Sequence, residues 1–300
     1  MKKTFAFFLM ALPALALASC AEGGPAGVSS STDGPEESTS TEATGNTLSS
    51  VLGSFGKNMR VNSIYQFIDT GDDKKMASIV ADYIEEGCLF EYKNFPNQTA
   101  KNGFVSKSGK TNAFTIPEGQ KELVLGSELL NNAGESIASF RDVYYDPSYI
   151  GEHAEEYCAE NVFIPKIAGK TNGTFYLHDK VYESDLPSAS EESSKEEGAE
   201  GEETSFEEVV ESSEESGKLL QDNTALLVNF AKAMGVYDTA SSFGTMNVHS
   251  AELYFSAKGT TFTVTFYFSY KDGYDRFAVK SSISNIGKTK IDPIAAYLGA

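Results

Sequence analysis

Three histidines and three cysteines are the residues of this 300-residue chain best suited to chemistry. His153, His178 and His249 lie far apart, with no His-x-x-x-His or Glu-x-x-His spacing that would put two ligands on one helix face. His153, Glu155, Glu156 and Cys158 fall close together, but their spacing matches no standard metal site and reads as a solvated helix face. Ser108-Gly109-Lys110-Thr111 and Gly169-Lys170-Thr171 resemble the end of a phosphate loop. The glycine such a loop needs five positions earlier is Phe104 in one case and Ile164 in the other. Both stretches therefore read as hairpin tips. No Gly-x-Ser-x-Gly elbow is present. The turn Asp69 to Asp73 lacks the ligand spacing of a calcium loop. Carboxylates are plentiful but concentrate where nothing would fix their geometry. The sequence thus assigns no catalytic residue, no metal site and no cofactor.

Cys20 is different, because it closes an export signal. Lys2 and Lys3 form a basic start, Phe5 to Leu17 is apolar apart from Pro13, and small residues follow. The run is shorter than the roughly 20 apolar residues a membrane-spanning helix requires. Leu17-Ala18-Ser19-Cys20 resembles the lipobox of bacterial lipoproteins. That resemblance implies a diacylglyceryl group on the Cys20 thiol and cleavage before it. Two acyl chains hold a protein on a membrane stably. The expected location is the extracytoplasmic face of the cell membrane, or the outer membrane in a two-membrane cell, since Ala21 is not a retention signal. Cys88 and Cys158 remain. Outside the cytoplasm they are the one pair available for a disulfide, which would contribute about 4 kcal/mol. Alternatively each is an ordinary small, buried thiol.

The net charge of −19 belongs mainly to two stretches. Residues 183–217 hold fourteen acids and one base, Lys195, and 21–50 hold five acids and no base. Neither is rich enough in apolar groups to offset the entropy of ordering. Residues 20–50 read as a flexible Ser/Thr/Gly/Glu tether and 184–217 as a disordered acidic insertion. Phe206, Val209 and Val210 are the insertion's one apolar cluster. An acidic chain without a basic face excludes nucleic acid as a partner.

The elements between these stretches form one β-rich domain, 51–300, interrupted by the insertion. Period-2 alternation predicts strands at 61–68, 76–84 and 88–92, and shorter ones at 122–126, 143–145 and 174–177. The C-terminal pattern is clearer: Leu253, Phe255 and Ala257, then Phe262, Val264, Phe266, Phe268 and Tyr270, then Phe277, Val279, Ser281 and Ile283. These make a three-stranded meander with one aromatic face. Asp222 or Asn223 caps a helix whose Leu226, Leu227, Phe230, Ala231 and Met234 share a face. Weaker helices are expected at 154–160 and 292–298.

The predicted fold is α+β and mostly β, a curved antiparallel sheet of meanders packed on one or two amphipathic helices, half-barrel-like. Helix 222–234 and the stretch 251–291, with Ile283 to Ile291 as a last strand, are similar to the LolA-like lipoprotein carriers and the LprG/LppX-like lipoproteins. That resemblance implies a hydrophobic-ligand carrier in which Phe230, Phe255, Phe262, Val264, Phe266 and Phe268 line an apolar cavity. The alternative is that the same six fill a solid core, and the chain contacts another envelope or host-surface protein. The first expectation is a non-enzymatic binding module for a lipid or other hydrophobic ligand, the alternative a structural or interaction lipoprotein; both are held at a membrane through Cys20.

Overall fold

The computed structural model describes residues 45–67, 75–94, 100–142, 144, 146–187, 217–241, 246–270 and 276–299. The signal, Cys20, the 69–73 turn, most of the acidic insertion with its Phe206 cluster, and positions 143 and 145 lie outside them.

Thirteen strands are described: β1 (Met59–Phe67), β2 (Lys75–Ile84), β3 (Gly87–Lys93), β4 (Lys101–Lys107), β5 (Lys110–Ile116), β6 (Val124–Glu128), β7 (Ile164–Pro165), β8 (Gly173–His178), β9 (Lys180–Tyr182), β10 (Leu219–Asp222), β11 (Met246–Phe255), β12 (Phe262–Tyr270) and β13 (Arg276–Ser284). Six helices accompany them: α1 (Leu48–Ser54), α2 (Ser148–Glu152), α3 (Ala154–Tyr157), α4 (Thr224–Ala233), α5 (Tyr237–Ser241) and α6 (Asp292–Leu298). Eleven strands make one curved antiparallel sheet in the order β6-β5-β4-β3-β2-β1-β13-β12-β11-β8-β7, and β10 pairs with β9. The two meanders read from sequence, β1–β3 and β11–β13, join where β1 pairs with β13.

Alternation decides which face each residue takes. On β12, Phe262, Val264, Phe266 and Phe268 are buried, while Thr263, Tyr267 and Ser269 stay partly open. The buried face receives α4, whose Leu227, Phe230 and Ala231 point into it at helical spacing. A second, smaller cluster comprises Ile84, Val105, Phe114, Ile116, Ile291 and Ile294. The register puts it on the opposite face: Ile84 lies opposite Gly87, Gly87 opposite Val105, and Gly103 opposite Phe114. A Cβ on Gly87 would strike the Phe104 carbonyl of β4 and then Ile294, so glycine lets both β4 and α6 approach there. The sheet therefore carries the large core on one face and α6 on part of the other.

Several boundaries differ from the sequence reading. The domain includes residues before Val51: Thr47 and Ser50 cap α1 reciprocally, and Asn46 Nδ2 donates to the carbonyls of Ser256 (3.0 Å) and Gly259 (2.7 Å). Residues 45–50 thus belong to the domain rather than the tether. Residues 184–187 and 217 likewise belong to the fold. Tyr182 N–H donates to Asp185 Oδ2 at 2.7 Å, and Glu183 N–H to the Lys218 carbonyl at 3.1 Å. Tyr144 is not in a strand; it follows a 3-10 turn, Phe140–Asp142, and sets its ring 5.7 Å from those of Phe90 and Phe104. No strand runs from Ile283 to Ile291. Asn285 (φ 54°) and Gly287 (φ 69°) turn the chain, and Ile291 precedes α6. The Ser108-Gly109 tip is a hairpin turn with φ of 54° and 74°, joining β4 to β5.

Candidate binding surfaces

The aromatic face is filled. Phe255 and Phe266 are 0% exposed and Phe262 4%. Phe230 of α4 is the hub. Its ring centroid lies 5.3 Å from that of Phe266, 5.4 Å from Tyr157, 5.7 Å from Phe163 and 6.4 Å from Phe55. Phe255 stacks on Phe175 at 5.4 Å and meets Phe262 edge-on at 6.3 Å. Phe268 meets Phe277 at 6.3 Å. Rings at 5–7 Å in tilted and edge-on arrangements are the packing of a close-fitted interior. A polar pair within it, Ser63 Oγ and Ser281 Oγ, satisfies itself at 2.8 Å. The six residues expected to line a cavity or fill a core are thus brought together as a core.

Cys88 and Cys158 are free, which corrects the disulfide expectation. Cys88 is walled into β3, where burial pushes its thiol up. Cys158 ends α3 at the surface, beside Ser49. His153 lies on the helical segment, apart from His178 and His249 on the neighbouring strands β8 and β11. His153 stacks on Tyr149 (4.0 Å) with Nδ1 2.8 Å from the Tyr149 carbonyl oxygen, and Glu155 and Glu156 share its short helix. His178 is on β8 and His249 on β11, where Nδ1 lies 3.1 Å from Ser250 Oγ. Among the described residues, no group of three His, Cys, Asp or Glu side chains could hold a metal ion.

The sheet face turned away from α4 holds a different set of groups. Tyr176 lies opposite Glu252, Glu252 opposite Thr265, and Thr265 opposite Lys280. The row continues through Ile64 and Ser78 to Lys93. Beside it, His178 lies opposite Ser250, and Ser250 opposite Tyr267. Small Ser250, Thr265 and Ala278 are buried beneath taller neighbours. Two depressions open at the ends of this row. One of about 560 Å³ is lined by Asn62, Ile64, Ser78, Lys93 and Asn94 among others. The other, about 330 Å³, is lined by Lys166, Tyr176, His178 and Asp185 among others.

Electrostatics follow from this half-burial. Desolvation raises the Glu252 carboxyl above the usual carboxylate range, with Lys166 and Lys280 only partly opposing it. Desolvation lowers His178 and raises Asp179. The sequence reading missed Tyr176, Glu252 and Lys280. Strand alternation puts Tyr267 and Thr265 on the face opposite the phenylalanines, but which strands flank β12 is a matter of register, not local pattern.

The most exposed large apolar groups include Val124 and Leu125 on the edge strand β6, with Leu130 just beyond. The opposite edge, β7, is two residues long and ends in Pro165, a blunted edge. Among the described residues, no helix is long and apolar enough to cross a membrane.

No protein-family model matches the chain, and no curated protein matches it. Among solved structures, acyl-CoA thioesterase II TesB2 from Mycobacterium marinum aligns over 78% of this chain and 81% of its own, at 11% identity and a TM-score of 0.14. Agreement at that level supports no inference about fold or activity.

Proposed function

We propose that this chain is a lipid-anchored, extracytoplasmic, non-enzymatic binding module that works through its surface, by contact with another envelope or host-surface protein. The anchor reading rests on Lys2, Lys3, the apolar run and Leu17 to Cys20. The observation that favours surface contact over carriage of an apolar ligand is the closed interior: Phe230 plugs the face that a carrier would leave open. Apolar sites that bind small molecules are concave and predominantly apolar, whereas the depressions here mix polar and charged side chains with a few apolar ones such as Ile64, Ile164 and Leu186. The apolar groups on β6 give the module exposed contact area of the kind interaction surfaces use.

Native mass spectrometry of the full chain, extracted from membranes in mild detergent, tests both parts. The expected mass is that of the chain cleaved before Cys20 plus its acyl groups, with nothing further bound. An unmodified Cys20 would remove the anchor. A further stoichiometric lipid would restore the carrier.

A further inference from the structure

We propose that the sheet face turned away from α4 binds a glycan chain laid across the strands. The row from Tyr176 on β8 to Lys93 on β3 crosses seven neighbouring strands. At about 4.8 Å per strand step that is roughly 29 Å, the reach of an oligosaccharide rather than a single sugar. The groups along it suit a polyhydroxylated chain. Tyr176 and Tyr267 offer half-buried rings with an apolar body and a polar tip. Glu252, opposite Tyr176 and two residues along β11 from Ser250, the partner of Tyr267, forms no hydrogen bond or ion pair with any described residue, so its carboxylate is available to accept from hydroxyls. Lys280 and Lys93 supply donors further along.

Other occupants fit less well. An acyl chain would need contiguous apolar surface, and this row has Ile64 isolated among polar groups. A peptide strand would add to an edge by main-chain hydrogen bonds, not cross paired strands. A polyanion would meet Glu252 and Asp185 along with the lysines. This inference goes beyond contact with proteins and stands whether or not Cys20 is acylated.

The test uses the labelled full chain in detergent on an array of neutral and acidic oligosaccharides, followed by solution titration of the retained glycan at two lengths. The expected result is retention of uncharged glycans, with affinity rising tenfold or more from disaccharide to hexasaccharide. Tyr267→Ala and Glu252→Gln should each weaken the hexasaccharide tenfold while the thermal midpoint moves by only a few degrees. Any of three results would overturn the proposal. These are no retention above a detergent control, retention of polyanions alone that salt abolishes, and wild-type affinity in both variants. If a variant's midpoint collapses, Tyr176→Phe, which keeps the ring and removes one hydroxyl, replaces it; unchanged affinity there together with unchanged length dependence would also count against the site.

Discussion

The two faces of β12 are built from the same nine residues and do opposite things. Phe262, Val264, Phe266 and Phe268 are sealed between the sheet and α4. One residue away in each case, Thr263, Thr265, Tyr267 and Ser269 face the side that α4 leaves uncovered. The first face converts apolar area into stability at about 25 cal/mol per Å² buried. The second keeps polar groups and rings short of partners, which is where recognition can occur. The difference teaches that an aromatic-rich strand is not by itself evidence of a ligand cavity. What matters is whether a helix brings a ring such as Phe230 to close it.

This contrast predicts a ladder of effects. Phe266→Ala should cost about 3–5 kcal/mol, measured by denaturant unfolding, because the ring contacts Phe230 and the site cannot refill. A cost under 1 kcal/mol would mean that the face is not tightly packed. Next comes Ser281→Ala, which strands the Ser63 hydroxyl inside the core and should cost about 1–3 kcal/mol. The double replacement by alanine should cost less than the sum of the two singles, and simple additivity would count against a mutual hydrogen bond. On the opposite face, Thr265→Ala should cost about 1 kcal/mol or less, well below half the Phe266 effect.

The smallest effect concerns pH. Burial holds the Glu252 carboxyl above the ordinary carboxylate range in the folded state. Between its unfolded and folded values, the folded protein keeps a proton that the unfolded chain releases. Its contribution to stability is therefore full below the unfolded value and is lost as pH rises through the folded one. Glu252→Gln should flatten the fall in thermal midpoint across the interval just above pH 4 and leave the midpoint at neutral pH equal or slightly higher. A variant that is less stable at neutral pH would show that the carboxylate is paired rather than merely buried.

The same two-face logic explains what could be read from the sequence. Strands covered on one face alternate cleanly, and β1, β2, β12 and β13 were legible for that reason. Strands β4 and β5 were not read as strands, only the tip between them. In Lys101–Lys107 the apolar residues are adjacent, Phe104 facing the large core and Val105 facing the α6 cluster. A strand covered on both faces loses its period-2 signal. Tyr144 misled in the converse way, since a β-favouring residue packs onto Phe90 and Phe104 from a loop. Helix α4 was legible from its apolar face and its stop, where Gly235 takes φ 69°. Asn223 precedes the helix as expected but makes no side-chain cap bond; the Asp222 carboxylate accepts from Thr224 N–H instead, at 3.0 Å. The six residues lie buried in one cluster, but whether they enclosed space depended on Phe230 meeting Phe266, a contact between segments far apart in sequence.

The central claim is that the aromatic face is closed, and titration of a fluorescent fatty acid into wild type and Phe266→Ala tests it most directly. The account predicts no saturable binding by the wild type, and in the variant at most weak binding within a newly opened cavity. Stoichiometric, saturable binding by the wild type that Phe266→Ala weakens would contradict it.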